Sequence, residues 1–168
     1  MDSNSSSLFS LAHHLLTYGL DGSPVYADQF TCLNRDVYER AIELYNTRGT
    51  TVEEEAELCL GLLVAFAATI YDNGSKQEYI QSVLDRSWEV LPKLSPSLLK
   101  VRLLTYCYGE FYDEELAKEA HVIITGWNKT ELTLEQAEII EELNSFQENP
   151  YPFEELEDLL HVMGANVH

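Results

Sequence analysis

Five histidines are the residues of this 168-residue chain best suited to hold a metal ion. His13 and His14 are adjacent, so on a helix their side chains point about 100° apart and do not converge on one ion. Asp158 and His161 lie three positions apart, but the sequence lacks the second half of a carboxylate–histidine metal pair. We therefore expect no metal ion, and the histidines are interpreted as solvated or partly packed side chains.

Cysteines and serines show no arrangement typical of nucleophilic catalysis. Cys32, Cys59 and Cys107 are far apart and odd in number, which fits neither a disulfide framework nor a zinc site. The sequence contains no G-x-S-x-G elbow and no glycine-rich phosphate loop. We expect no cofactor and no enzymatic activity, and an enzyme stays open only if an apolar pocket encloses several carboxylates.

Carboxylates dominate the charge of the chain. There are 29 Asp and Glu against 10 Lys and Arg, which gives a formal net charge of −19. This charge repels phosphate backbones and anionic membrane surfaces, so we expect neither direct nucleic-acid binding nor membrane association. The expected partners are basic protein surfaces.

The acids are concentrated toward the end of the chain. Residues 130–168 hold ten of them and no Lys or Arg. Aromatic residues such as Trp127 and Phe146 lie beside these acids, although any single ring could simply belong to the core. An acidic field with aromatic anchors suits the capture of a basic protein, because charge steers the encounter and rings bury contact area.

The elements that position these residues are predicted to be helices. Hydrophobic residues recur three or four positions apart, and no segment alternates with period two. Helix-start signals recur along the chain: capping boxes at Thr51/Glu54, Ser75/Glu78 and Thr133/Gln136, a cap at Ser95 before Pro96, and a cap at Asp113. The prediction is an all-α fold of seven to eight amphipathic helices in a compact antiparallel helical-hairpin bundle. Spacings near 40 residues between pairs of helix starts leave a short α-solenoid open.

One domain is expected over residues 1–168, with residues 1–7 forming a flexible N-terminus. The most apolar stretch, Leu58 to Ile70, is too short at 13 residues to span a bilayer and is predicted to be a buried core helix. A secretory signal begins with positively charged residues, whereas the first seven residues of this chain contain no Lys or Arg. We therefore expect a cytoplasmic protein.

Five longer strings carry a resemblance to a known family. They are LAHHLLTYGLDGSPVY (11–26), TVEEEAELCL (51–60), TIYDNGSKQEYIQSVLDRSWEVL (69–91), SLLKVRLLTYCYGEFYDEELAKEAH (97–121) and ENPYPF (148–153). The chain resembles the UpxZ family, small proteins encoded at the start of capsular polysaccharide operons beside a NusG-like antiterminator called UpxY. The resemblance implies a transcription regulator that antagonises the antiterminators of other loci, and it implies no catalytic or cofactor residue.

Two regions could form the surface that contacts a UpxY-type partner: the acidic C-terminal helices, or helices three to six, where the resembling strings concentrate. The candidate contact residues are Tyr71, Arg86, Trp88 and Tyr108 in the second region, and Glu135, Glu138, Glu142, Glu154 and Asp158 in the first. A generic acidic helical-repeat adaptor that binds a peptide or a basic protein is the alternative function.

Overall fold

The structure is a computed structural model of the chain, and it describes residues 3–20, 22, 24–70 and 75–147. Over these residues the chain forms seven α-helices and one 3-10 turn, without a strand. The elements are α1 (Ser3–Leu16), α2 (Ala27–Leu44), α3 (Val52–Ala68), α4 (Lys76–Val90), the 3-10 turn (Leu91–Lys93), α5 (Leu98–Phe111), α6 (Glu114–Thr125) and α7 (Leu134–Gln147). The all-α prediction is confirmed, and residues 148–168, where the acidic C-terminal part of the prediction continues, lie outside the described residues.

The helices group into two compact units. Unit 1 is Met1–Leu94 and contains α1 to α4, and unit 2 is Ser95–His168 and contains α5 to α7. The single domain over residues 1–168 stays a prediction. So does the flexibility of residues 1–7, of which residues 3–7 form the start of α1.

The core of unit 1 is built around α3, which is apolar on every face after its acidic first turns. All residues from Leu58 to Phe66 are buried, as expected for a helical stretch with no polar side. The predicted core helix is confirmed over this stretch. At Ile70 the prediction is wrong, because α3 ends at Ala68 and the side chain of Ile70 is 69% exposed.

The three other helices of unit 1 pack around α3. Gly61 allows α1 to approach closely, since a Cβ there would lie 3.2 Å from the Cβ of Leu8. The helix α2 runs antiparallel to α3, because Asn34 contacts Ile70, two residues beyond the end of α3, and Gly49 contacts the first turn of α3. As α1 ends beside the start of α2, the ends of α1 and α3 lie at the same end of unit 1.

In unit 2, α6 and α7 both pack on α5. A Cβ at Gly109 would lie 3.0 Å from the ring of Phe146, so the missing side chain lets α7 approach α5 closely. Tyr112 follows α5 with φ 57°, in the left-handed region that commonly ends a helix. Its backbone N–H bonds to the carbonyl of Tyr108 at 2.7 Å and closes the helix.

Three of the predicted helix starts are confirmed. The Thr51 side chain accepts from the N–H of Glu54 at 3.0 Å, and the Asp113 side chain accepts from the N–H of Glu115 at 3.0 Å. Thr133 forms a complete capping box with Gln136: each side chain accepts from the backbone N–H of the other residue, at 3.1 and 2.9 Å.

Two predicted caps differ from the structure. Ser75 directly precedes α4, so the predicted helix start is confirmed, but its backbone has φ −105° and ψ −3°, a helical rather than extended conformation, and its side chain makes no capping hydrogen bond. The predicted start at Ser95 and Pro96 is wrong. The residue that caps α5 is Ser97, which is extended and whose hydroxyl accepts from the N–H of Lys100 at 3.1 Å.

Candidate functional site

Arg86 on α4 is a buried cation, with 7% of its surface exposed. Its guanidinium donates to both carboxylate oxygens of Glu55 on α3: Nε to Oε2 at 2.9 Å and Nη2 to Oε1 at 3.0 Å. Two parallel hydrogen bonds of this kind fix both side chains in one geometry. We call Arg86, Glu55 and the groups bound to them the Arg86 junction.

The rest of the guanidinium binds the connection between α2 and α3. Nη1 donates to the carbonyl of Tyr45 at 3.1 Å, and Nη2 donates to the carbonyl of Thr47 at 2.9 Å. Neither residue belongs to α2, which ends at Leu44. The Arg86 junction therefore connects α4 both to α3 and to the α2–α3 connection.

Glu55 also accepts from the backbone of this connection. The N–H of Gly49 donates to Oε1 at 2.8 Å, and a side chain at Gly49 would put its Cβ 2.2 Å from the backbone nitrogen of Glu55. Burial raises the pKa of Glu55, but hydrogen bonds from Arg86 and Gly49 and the charge of Arg86 outweigh it. The pKa of the carboxyl lies below its ordinary value, so Glu55 stays ionised beside its cation.

A groove of about 200 Å³ lies beside the Arg86 junction, between the first turn of α3 and the end of α4. Glu89 and Lys93, both exposed, line it together with the apolar side chains of Val52 and Val90. The carboxylate of Glu55 faces this groove but is already paired with Arg86. The lining has no converging set of carboxylates that would support acid–base chemistry.

The remaining candidates in helices three to six differ in exposure. Trp88 on α4 is 47% exposed, whereas Tyr108 on α5 is 3% exposed. The hydroxyl of Tyr108 donates to Glu114 at 2.9 Å, and burial together with that carboxylate raises its pKa. Tyr71 lies outside the described residues. Trp88 is thus accessible to a partner, while Arg86 and Tyr108 are held by contacts within their own units.

In unit 2, the acidic candidates are on α7. Glu135 is exposed, and Glu138 and Glu142 are half-buried. Glu142 accepts a hydrogen bond from the hydroxyl of Tyr106 on α5, and burial followed by the charge of Glu142 raises the pKa of that hydroxyl. We call Glu135, Glu138 and Glu142 the α7 acidic face. Glu154 and Asp158, predicted to extend it, lie outside the described residues.

Two of the three cysteines are buried, and His121 is held by a hydrogen bond. Cys59 is buried with Sγ 3.6 Å from Glu55, and desolvation raises the pKa of its thiol to about 12. Cys107 is buried and Cys32 is exposed. His121 hydrogen-bonds the side chain of Gln147 at 2.9 Å. Over the described ranges, no three His, Cys, Asp or Glu side chains lie close enough together to hold a metal ion.

The model of the "UpxZ family of transcription anti-terminator antagonists" matches residues 5–109. This chain belongs to the UpxZ family. It is also similar to a transcription anti-terminator antagonist UpxZ from Bacteroides uniformis ATCC 8492, solved as a crystal structure. That similarity has 48% sequence identity, a TM-score of 0.80, and coverage of 91% of this chain and 96% of the other. A search of curated proteins finds no match.

The UpxZ match covers the candidate regions unequally. Residues 5–109 include almost all of unit 1, with the Arg86 junction and Trp88, and the part of α5 that carries Tyr108. The α7 acidic face lies beyond it. The family model therefore covers mainly unit 1, whereas the similarity to the Bacteroides uniformis structure covers 91% of the chain. Among the residues that the structure describes, no helix is long and apolar enough to cross a membrane.

Sequence reasoning missed one feature of unit 1. Asn34 on α2 binds both backbone groups of Ile70, and large apolar side chains at the same end of the unit are exposed. The available signal was the connection between α1 and α2, where Leu20, Val25 and Tyr26 flank turn residues that usually carry polar neighbours.

Proposed function

We propose that this chain antagonises NusG-like antitermination factors of the UpxY type that are encoded by other capsular polysaccharide loci. It binds the factor directly and keeps it from RNA polymerase. Transcription of the other locus then fails to continue through the operon leader, and that capsule is not made. The protein acts in the cytoplasm, where the factor and the polymerase meet.

The observation that carries this proposal is membership of a family of anti-terminator antagonists together with the charge of the chain. Unit 1 has 14 Asp and Glu against 6 Lys and Arg, a formal charge of −8, and unit 2 has 15 against 4, a formal charge of −11. A factor that approaches polymerase and nucleic acid needs basic and apolar surface. A helical protein with negative charge in both units is complementary to that surface.

Within the proposal, the α7 acidic face steers the encounter. Residues 130–147 hold five acids and no Lys or Arg, so no cation of this helix region offsets Glu135 and Glu138. Long-range attraction of this kind raises the association rate and weakens as salt increases. Glu154 and Asp158 would extend the steering field, and Tyr71 and Trp88 would add aromatic contacts.

Arg86 and Tyr108 have a different part in the proposal. Because their polar groups are bound within unit 1 and unit 2 respectively, they support the shape of a surface without contributing to it directly. Substituting Arg86 would therefore weaken partner binding only to the extent that unit 1 loses its fold.

Transcription in vitro tests the proposal. A template with the leader of another capsular locus is transcribed with its own UpxY-type factor, and full-length RNA is measured as purified chain is added. We expect the chain to abolish the readthrough that the factor provides. The control is the factor from the chain's own locus, whose readthrough should persist at the same concentration. Unchanged readthrough with every non-cognate factor would contradict the proposal.

A further inference from the structure

One end of unit 1 presents large apolar side chains to solvent. Among the described residues, Leu20, Ile70, Tyr26, Val25 and Leu16 are 78%, 69%, 57%, 55% and 38% exposed. All five come from the end of α1, the α1–α2 connection, or the second residue after α3, which lie at the same end of the unit. We call these five residues the apolar end. Exposed apolar patches of this kind commonly mark protein interaction sites.

Ile70 is held in its exposed position by hydrogen bonds to its backbone. Its N–H donates to Oδ1 of Asn34 at 2.7 Å, and its carbonyl accepts from Nδ2 of Asn34 at 3.0 Å. The preceding carbonyl, of Thr69, accepts from Nζ of Lys76 at 2.7 Å. Since these contacts fix the backbone while the side chain points outward, a partner would meet a preorganised apolar residue.

Contacts also hold the described residues at the two ends of the α1–α2 connection. The hydroxyl of Tyr18 donates to the side chain of Gln29 at 3.0 Å, and its ring lies 6.2 Å from that of Phe30. Gly19 has φ 83°, and a Cβ there would lie 2.4 Å from Val25, so only glycine fits beneath that side chain. Val25 and Tyr26 are therefore positioned by the connection and remain more than half exposed.

Charge decides which occupant fits this surface. A second copy of the chain would bring two units of formal charge −8 together, which opposes self-association. A protein surface with an apolar centre surrounded by Lys and Arg would instead be attracted, because its positive charges complement the negative charge of unit 1. The apolar end also lies wholly within residues 5–109, the part of the chain that matches the family.

We infer that the apolar end is the docking surface for the antiterminator, which presents an apolar centre surrounded by basic residues. This inference rests on the proposed function and specifies where the partner binds. The α7 acidic face then accelerates the encounter, while the apolar end supplies the buried contact area that holds the complex together.

The test uses four serine substitutions matched for exposure in the full-length chain. Leu20→Ser and Ile70→Ser change the apolar end, at 78% and 69% exposure. Leu134→Ser and Val122→Ser change side chains of unit 2 at 72% and 70% exposure. Binding to a purified UpxY-type factor from another locus is measured by titration calorimetry, and unfolding in urea verifies that each variant remains folded.

We expect Leu20→Ser and Ile70→Ser each to raise Kd about tenfold, and Leu134→Ser and Val122→Ser to change it less than about twofold. Asn34→Ala should also raise Kd, because it releases the backbone of Ile70 without removing any apolar contact atom. Equal Kd values for wild type and the two apolar-end variants would overturn the inference, as would equal losses in the unit 2 controls. If the wild-type chain itself binds no factor, the proposed function fails. A wild-type dimer that Leu20→Ser dissociates would show that a second copy is the occupant, and would also overturn the inference.

Discussion

In unit 1 the carboxylate of Glu55 lies 2.9 Å from the guanidinium of Arg86, whereas in unit 2 the carboxylate of Glu142 accepts from the neutral hydroxyl of Tyr106. The first pair neutralises its charge inside the unit and binds two backbone carbonyls of a connection. The second joins α5 to α7 through the half-buried side chain of Glu142. The same residue type thus links the α2–α3 connection, α3 and α4 in unit 1 and links two helices in unit 2, where we propose that the α7 acidic face also steers a partner.

Removing Arg86 should have the largest effect on the stability of the chain. Arg86→Met leaves Glu55 ionised without its cation and leaves the carbonyls of Tyr45 and Thr47 without their donors. Breaking a buried pair in this way costs about 3–5 kcal/mol. We expect urea denaturation to show a loss of that size in the free energy of unfolding.

The double variant Glu55→Gln with Arg86→Met is the control for this prediction, because it removes the uncompensated charge. It should be more stable than Arg86→Met alone. A loss below about 1 kcal/mol in the single variant would show that the junction is not structurally important.

Acid should have a smaller effect on the same junction, since a protonated Glu55 keeps its place and still accepts hydrogen bonds. The pKa of Glu55 is lowered in the folded chain, so its contribution to stability is present above the ordinary value near 4.5. That contribution is lost as pH falls through the folded-state pKa. The measurement is the difference in unfolding free energy between wild type and Glu55→Gln, which should be constant above about pH 5 and shrink below 4.5. A difference that does not depend on pH would contradict the assignment.

Removing the hydroxyl of Tyr106 tests the unit 2 side of the comparison. Tyr106→Phe deletes the donor to Glu142, but that half-buried carboxylate can turn toward water. We expect a loss of about 0.5–1.5 kcal/mol in the free energy of unfolding, less than for Arg86→Met. A loss in the free energy of unfolding as large as that of Arg86→Met would mean that the hydrogen bond to Glu142 is as important for stability as the Glu55–Arg86 pair.

Neutralising the α7 acidic face should have the smallest effect on stability. Glu135→Gln with Glu138→Gln keeps the size of both side chains and should change the unfolding free energy by no more than about 0.5 kcal/mol. The same variant should lower the rate of association with a UpxY-type factor at low salt, as measured by stopped-flow mixing. Asp36→Asn with Glu39→Gln, which neutralises two exposed acids on α2, is the matched control in unit 1. An equal fall in the association rate for both double variants would show that the rate depends on the net charge of the chain and not on where the acids lie.

Periodicity and capping residues predict much of the fold. The spacing of apolar residues predicts the helices, and Thr51, Asp113 and Thr133 cap them as expected. The caps at Ser75 and Ser95 fail because the backbone conformation there depends on neighbouring packing, which a local pattern does not contain. Helix order and length were accessible from the sequence, and details of the connections were not.

The candidate site was less predictable, because contacts between distant positions define it. Arg86 was chosen as a partner contact, yet it meets Glu55, Tyr45 and Thr47, which are 31 to 41 positions away. Likewise, Asn34 binds Ile70 across 36 positions. The excess of acids on α7 was visible because net charge is a property of composition. As partner-binding residues, Trp88 and the α7 acidic face stay predictions, as do Tyr71, Glu154 and Asp158 outside the described residues. Arg86 and Tyr108, also predicted to bind the partner, are proposed to act through the fold of their units.

We propose that this chain holds a basic antitermination factor by direct, charge-assisted binding. The most direct test is titration of the full-length chain with a purified UpxY-type factor from another locus at salt concentrations from about 50 to 500 mM. We expect binding that weakens steadily as salt rises, with an apolar contribution that persists at the highest salt. Absence of binding at the lowest salt, or an affinity that does not change across the range, would contradict it.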